Sequence, residues 1–205
     1  MVLTPDIRMQ ITGVVLAGGR ATRMGGSDKG LIRLGTRTMA EHVLHALRPQ
    51  VSDLLINANR NLDIYRRFGC PVIADAMDGY CGPLAGMASA LRVARTPLLL
   101  TVPCDSPFVP VCLAERLHAG MVGQDAEIAV AESGGRLEPV FALIQTALYD
   151  SLLDFLNAGE RKIDRWYARH RMTAIDFSDL PDAFRNINTP ADVDAAAARL
   201  ATIPA

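Results

Sequence analysis

The 205-residue sequence predicts an α/β protein in which a mostly parallel sheet lies between two layers of helices. Three observations carry that expectation. From Val14 onward, short β-branched or leucine-rich runs alternate with stretches of helical periodicity, the pattern of βαβ units joined by right-handed crossovers. The run Leu98-Leu99-Leu100-Thr101-Val102 is apolar almost without interruption, as a strand covered on both faces must be. Half of the residues are hydrophobic, which is ample for a sizeable core in one domain of this length.

In chain order, residues 14–16 (Val-Val-Leu) form the first strand, which breaks at Ala17, Gly18 and Gly19. Residues 31–38 read as a short extended segment around Gly35. Thr38 then opens a helix through a capping box with Glu41, and Met39, Val43, Leu44 and Leu47 supply its buried face before Pro49. The second strand, 54–56, ends at Asn57, and a helix from about Asn61 buries Tyr65 and Phe68 before stopping at Gly69. The third strand, 72–74, ends at Asp75. Residues 78–83 carry turn chemistry, and Leu84, Met87, Ala88 and Leu91 mark one helical face.

The fourth strand, 98–102, breaks at Pro103-Cys104-Asp105. A helix over about 111–119 is expected to stop at Gly120. Residues 127–131 and 140–144, joined through Ser133-Gly134-Gly135, read as a hairpin, where the simple alternation ends. Helices around 147–157 and 162–169, a strand near 173–177 and a helix opened by Thr189-Pro190 complete the chain. No internal repeat or linker divides it. A single domain is expected, with a nucleotide-binding part over about 11–110 and an acceptor-binding part over about 111–190.

Charge narrows the function. Lys and Arg number 21 against 22 Asp and Glu, a net charge of −1, so nothing global attracts nucleic acid or an anionic membrane. Basic charge is local: between Arg20 and Arg37 stand five basic residues and one acid, Asp28. Cys70, Cys81, Cys104 and Cys112 form no C-x-x-C pair, which fits reduced thiols. His42 and His45 lie three apart on a helix without a third metal ligand nearby, so solvated helix residues are the simpler reading. Residues 1–10 lack the apolar core of a signal peptide, and no run approaches the ~20 apolar residues of a membrane helix. A soluble, cytoplasmic protein is expected.

In parallel α/β sheets, ligands bind beyond the carboxyl ends of the strands. The glycine turn, Asn57, Asp75 and Asp105 follow strands one to four, so a parallel sheet would gather them at one edge. Glycines leave backbone N–H groups open to an anion, and Arg20, Arg23 and Lys29 add positive charge, which points to a polyphosphate. No Gly-Lys-Ser/Thr follows for a Walker loop, and the glycines never fall into G-x-G-x-x-G. A triphosphate carries Mg²⁺, which needs a carboxylate facing the basic loop; Asp105, stiffened by Pro103 and Pro107, is the candidate. Taken singly, Asn57 and Asp75 read equally well as turn caps.

The stretch from Leu16 to Lys29 resembles the nucleotidyltransferase signature L-A-[GA]-G-x-x-x-R-M-G-x-x-K, matched by Leu16, Ala17, Gly18, Gly19, Arg23, Met24, Gly25 and Lys29. With glycine at 18 and Asp28 before Lys29, it is similar to the molybdenum cofactor guanylyltransferases of the MobA type. Asn57-Ala58-Asn59-Arg60, Gly82-Pro83-Leu84-Ala85-Gly86, Pro103-Cys104-Asp105-Ser106-Pro107-Phe108 and Asn186-Ile187-Asn188-Thr189-Pro190 resemble further elements of that family. The segment Glu138-Pro139-Val140-Phe141-Ala142-Leu143 resembles a variable one near its acceptor. The resemblance implies a Rossmann-like three-layer α/β/α fold of the nucleotide-diphospho-sugar transferase kind, with a small antiparallel hairpin portion.

The resemblance also implies roles. Leu16, Ala17, Gly18, Gly19, Lys29, Asn57, Asp75, Gly82, Pro83 and Asp105 would contact the nucleotide. Arg23, Lys29 and Asp105 would act in catalysis, with Asp105 on Mg²⁺. Glu138, Asn186 and Asn188 would face the acceptor, although related sugar nucleotidyltransferases place a second metal-binding aspartate near Asn188. The implied reaction is attack by the terminal phosphate of a molybdenum-bearing pterin on the α-phosphorus of GTP, releasing pyrophosphate. A phosphate monoester has a second pKa of about 6, so the nucleophile is ionised at neutral pH and needs no general base. Implied partners are GTP, the molybdenum-pterin cofactor and proteins of cofactor biosynthesis or molybdoenzyme maturation. A cytidylyl or sugar-phosphate nucleotidyltransferase, or a binding module without turnover, stands as the alternative. Arg23, Lys29 and Asp105 favour turnover, since pure binding needs no clamp on a leaving group.

Overall fold

The computed structural model describes residues 5–18, 28–76 and 82–202. After a short helix α1 (Pro5–Arg8), strand β1 (Ile11–Leu16) leads to Ala17 and Gly18 of the site. A 3-10 turn at Lys29–Leu31 precedes the strands β2 (Arg33–Leu34) and β3 (Arg37–Thr38), so the extended segment around Gly35 is a small antiparallel hairpin of its own. Helix α2 (Met39–Leu47), β4 (Asp53–Asn57), α3 (Leu62–Arg66), β5 (Val72–Ile73), α4 (Pro83–Val93) and β6 (Leu98–Pro103) continue the alternation. Then come α5 (Leu113–Gly123), β7 (Ile128–Ser133), β8 (Arg136–Gln145), α6 (Tyr149–Asn157), α7 (Ile163–Tyr167), β9 (Met172–Asp176) and α8 (Pro190–Thr202).

Local chemistry accounts for several of these boundaries. The capping box of α2 is formed: Thr38 Oγ1 accepts from the Glu41 N–H while Glu41 Oε2 accepts from the Thr38 N–H at 2.7 Å. Pro83 occupies the first turn of α4, where its missing N–H costs nothing. Helix α5 departs from expectation, because it runs through Gly120 to Gly123. A Cβ at 120 would overlap Ile175 Cδ1 of β9, so this glycine allows close packing of helix on strand and does not end the helix.

Seven strands form one sheet in the order β5-β4-β1-β6-β8-β7-β9. β5, β4, β1 and β6 run parallel, β8 is antiparallel to both β6 and β7, and β9 is parallel to β7. β8 therefore inserts between β6 and its own hairpin partner. The strand order reverses between β1 and β6, which is where a ligand cleft opens in such sheets.

Successive strand residues point to opposite faces, and the core divides accordingly. Leu98, Leu100 and Val102 of β6 pack in one cluster with α2, Tyr65 of α3 and α5. Leu99 joins the other, with α4, α6 and the Trp166-Tyr167 pair of α7. Fully burying one such leucine is worth about 2 kcal/mol, and the two clusters hold the central strands from both sides. A third cluster, Leu34, Met39, Ile187 and Ala196, fastens α8 over the β2–β3 hairpin. No helix among the described residues is long and apolar enough to cross a membrane.

Candidate active site

At the carboxyl edge of β1, β4, β5 and β6 lies a cavity of about 450 Å³. Eleven residues expected at the site line it: Leu16, Ala17, Gly18, Lys29, Asn57, Asp75, Gly82, Pro83, Asp105, Glu138 and Asn186. Gly19 and Arg23 lie outside the described residues. Asn188 is exposed and is not among the lining residues, but its Oδ1 accepts from Lys29 Nζ.

Lys29 is placed by its neighbour. Asp28 caps the 3-10 turn, accepting from the Gly30 N–H, while Tyr65 Oη donates to its Oδ1 at 2.7 Å and Asn61 Nδ2 to its Oδ2 at 3.0 Å. Burial pushes the Tyr65 hydroxyl well above its ordinary pKa, so it stays a donor. A Cβ at Gly30 would collide with Tyr65 Oη, which explains the glycine there. With Asp28 held, Lys29 Nζ reaches Asp105 Oδ2 at 3.0 Å.

Asp105 follows β6 and is tied to a distant segment. Its carbonyl accepts from the Ile187 N–H at 2.8 Å, and Ser106 Oγ bonds Asn186 Oδ1 at 2.6 Å. The Asn-Ile-Asn segment is anchored in turn by Asp192, which accepts from the Asn188 and Thr189 N–H groups and from the Thr189 hydroxyl. Those bonds hold the Asp192 carboxyl below its usual range. Cys104 is buried beside this carboxylate. Desolvation, then the Asp105 and Asp28 charges, push its thiol pKa far up, so it stays protonated and unreactive.

Across the cavity, Asn57 and Asn59 hold Asp75. Asn57 Nδ2 donates to Oδ1 at 2.9 Å and Asn59 Nδ2 to Oδ2 at 2.7 Å, while the Asp75 N–H donates to Asn59 Oδ1 at 2.9 Å. Gly18 adjoins this group: a Cβ there would lie 3.1 Å from Asn59 Nδ2 and 3.3 Å from Asn57 Oδ1.

The sequence reasoning did not single out Asn59 for a role, nor Gly86 and Arg136. Asn59 had a usable signal, since it repeats the asparagine two residues after Asn57 in a turn leaving a strand. Gly86 had one too, as the closing residue of the Gly82-Pro83-Leu84-Ala85-Gly86 element, whereas Arg136 had none, because its position depends on contacts between elements distant in sequence.

A doubly wound sheet with Gly18 and Lys29 on one side of its switch point and Asp105 on the other has the layout of an α/β nucleotide-binding enzyme. Residues 13–173 match the family described as MobA-like NTP transferase domain. The chain belongs to that family. It is 51% identical over 181 residues to a molybdenum cofactor guanylyltransferase of Shewanella loihica, covering 88% of this chain and 92% of that protein. It is 50% identical over 182 residues to that of Shewanella sediminis, covering 89% and 93%.

Among solved structures, molybdopterin-guanine dinucleotide biosynthesis protein A from Archaeoglobus fulgidus superposes with a TM-score of 0.79 at 23% identity, over 94% of this chain and 100% of the other. The 2-C-methyl-D-erythritol 4-phosphate cytidylyltransferase from Thermus thermophilus gives 0.68 at 20%, over 93% and 98%. These two likenesses bear on the fold alone.

Proposed function

We propose that this enzyme transfers GMP from GTP to the terminal phosphate of the molybdenum-pterin cofactor, giving the guanine dinucleotide form and pyrophosphate. The observation that carries this reading is the convergence of Gly18, Lys29, Asn57, Asp75 and Asp105 on one cavity. The names borne by relatives of half-identical sequence supply the base and the acceptor.

The strand order divides the labour. Asn57 and Asp75 end β4 and the segment after β5, and are suited to the nucleoside; Asp75, held at both oxygens by amide donors, accepts further hydrogen bonds in a fixed direction. Lys29 and the turn at Gly18 stand nearest the switch point, where the phosphates belong. Lys29 stabilises the charge that builds on the departing pyrophosphate. Asp105 suits Mg²⁺, which takes one or two carboxylates together with phosphate oxygens and water. No group of three His, Cys, Asp or Glu side chains able to hold a metal forms among the described residues, so the remaining ligands would come from the substrate. When bound, Mg²⁺ neutralises phosphate charge and helps to orient the chain undergoing attack. Glu138 and Asn186 face the acceptor side.

On this reading both substrates are water-soluble anions, and the enzyme works in the cytoplasm. The test is incubation with GTP, Mg²⁺ and the molybdenum-pterin acceptor, read by product mass and pyrophosphate release. Release with CTP and not GTP would move the assignment to a cytidylyl transfer, and transfer only to sugar phosphates would replace the acceptor.

A further inference from the structure

Strand β8 runs against its neighbours, so its first residues lie at the edge where β1, β4 and β6 end. Its pairing with β7 breaks abruptly: Val130 pairs with Ala142, but the next residue, Ala131, pairs with Glu138. Pro139, Val140 and Phe141 are left without partners on β7, and all three line the cavity. Proline belongs at such a break because it has no N–H to give a ladder. The break is supported from both sides: Tyr167 Oη donates to the Pro139 carbonyl at 2.7 Å, and Thr101 Oγ1 to the Val140 carbonyl at 2.7 Å. It is a built irregularity that turns the start of β8 toward the cavity.

Two residues ride on that segment, Arg136 and Glu138, on one face of the strand by alternation and both lining the cavity. Arg136 is the second cation among the described lining residues. The first, Lys29, is already engaged by Asp105 and Asn188. The guanidinium of Arg136 is exposed, with no side-chain hydrogen bond or ion pair found among the described residues. It stands on the far side of β6 from Asn57 and Asp75, hence away from the nucleoside and on the side an incoming acceptor must occupy.

The reaction brings a phosphate dianion against an α-phosphorus that is itself surrounded by anionic oxygens. Such an approach needs a cation on the nucleophile's side as well as on the leaving group's. We infer that Arg136 binds the terminal phosphate of the acceptor and orients its oxygen for attack. A planar guanidinium with paired donors matches two oxygens of a phosphate monoester, leaving the third to attack. This rests on the transfer reaction proposed above.

The test compares wild type with Arg136→Ala and Arg136→Lys in initial-rate assays with GTP and the molybdenum-pterin acceptor. The acceptor KM should rise at least about tenfold in Arg136→Ala, the loss expected of charge-assisted hydrogen bonds, while the GTP KM stays within about twofold. Arg136→Lys should recover part of the loss. Inorganic phosphate should inhibit wild type competitively against the acceptor, and much less in Arg136→Ala. An unchanged acceptor KM, or a rise confined to GTP, would overturn the assignment. Failure of wild type to transfer from GTP would instead sink the reaction. Calorimetric titration with phosphate then still decides on Arg136: weaker binding in Arg136→Ala supports it and equal binding removes it.

Discussion

The Lys29 ammonium stands 3.0 Å from Asp105 Oδ2, joining the segment after β1 to the end of β6 across the switch point. Both side chains retain solvent contact, 24% and 17%, so the pair itself is worth about 0–1 kcal/mol to the fold. Its importance lies in charge placement. Asp105→Asn should lower kcat on the order of 100-fold or more, the scale of removing a group aimed at developing charge, with Tm nearly unchanged. Lys29→Ala should lower kcat more than it raises the GTP KM, because charge grows on the leaving pyrophosphate in the transition state. Near-normal turnover by Asp105→Asn with the same Mg²⁺ requirement would remove Asp105 from the reaction.

Gly86 is a second point where fold and site meet. A Cβ there would lie 2.9 Å from both Asn57 Cγ and Leu16 Cδ2, and closer still to Asn57 Oδ1. In an open helix, Gly→Ala gains roughly 0.5–1 kcal/mol; here overpacking costs about 1–3 kcal/mol and displaces the amide that holds Asp75. Gly86→Ala should therefore lower Tm and raise the GTP KM together. A stabilised variant with unchanged KM would show that Asn57 can move aside freely.

What the sequence disclosed, and what it did not, follows the range of the interactions involved. The α2 cap was legible because Thr38 and Glu41 are three residues apart and satisfy each other. Asn57, Asp75 and Asp105 were legible because hydrophobic runs mark strand ends and the parallel sheet collects those ends on one edge. Gly120 misled, since a glycine ending a helix and one admitting a neighbour look alike until Ile175 is seen against it. The insertion of β8 between β6 and β7, and the pairing break that turns Arg136 to the cavity, depend on partners far along the chain.

Stability should fall in mild acid. His170 is packed edge-on against Trp166, and its Nε2 bonds Ser151 Oγ at 2.9 Å. Desolvation lowers its pKa, partly opposed by Glu127, and burial lowers that of His118 as well. With the folded pKa below the unfolded value of about 6.5, the unfolded chain takes up protons first; the contribution is complete above that pH and is lost as pH falls toward the folded pKa. The urea midpoint should be lower at pH 5.5 than at pH 7.5, and His170→Gln with His118→Gln should flatten the difference. An equal slope in the double variant would assign it to other groups.

The choice of base is expected to turn on Gly18. The signature that residues 16–29 resemble admits glycine or alanine at 18, and glycine leaves direct room for a purine, but the geometry adds an intermediate. The Cβ of an alanine at 18 would meet Asn59 Nδ2 at 3.1 Å and Asn57 Oδ1 at 3.3 Å, the two amides that hold Asp75. At those distances one neighbour must yield by a few tenths of an ångström. Asn59 is the softer, being exposed, and its movement would loosen both the Asp75 carboxylate and the Asp75 N–H. If Asp75 reads the donor edge of guanine, Gly18→Ala should cut kcat/KM for GTP by about tenfold, the low end of a 1–3 kcal/mol specificity contact, and lower the GTP-to-CTP ratio with it. Asn59→Ala should shift that ratio in the same direction, since it releases the same carboxylate without adding a methyl beside the ligand. Agreement between the two variants would place selection at Asp75. A fall with Gly18→Ala alone would leave direct contact between the methyl and the base, and an unchanged ratio in both would move base selection toward the turn at Gly82 and Pro83.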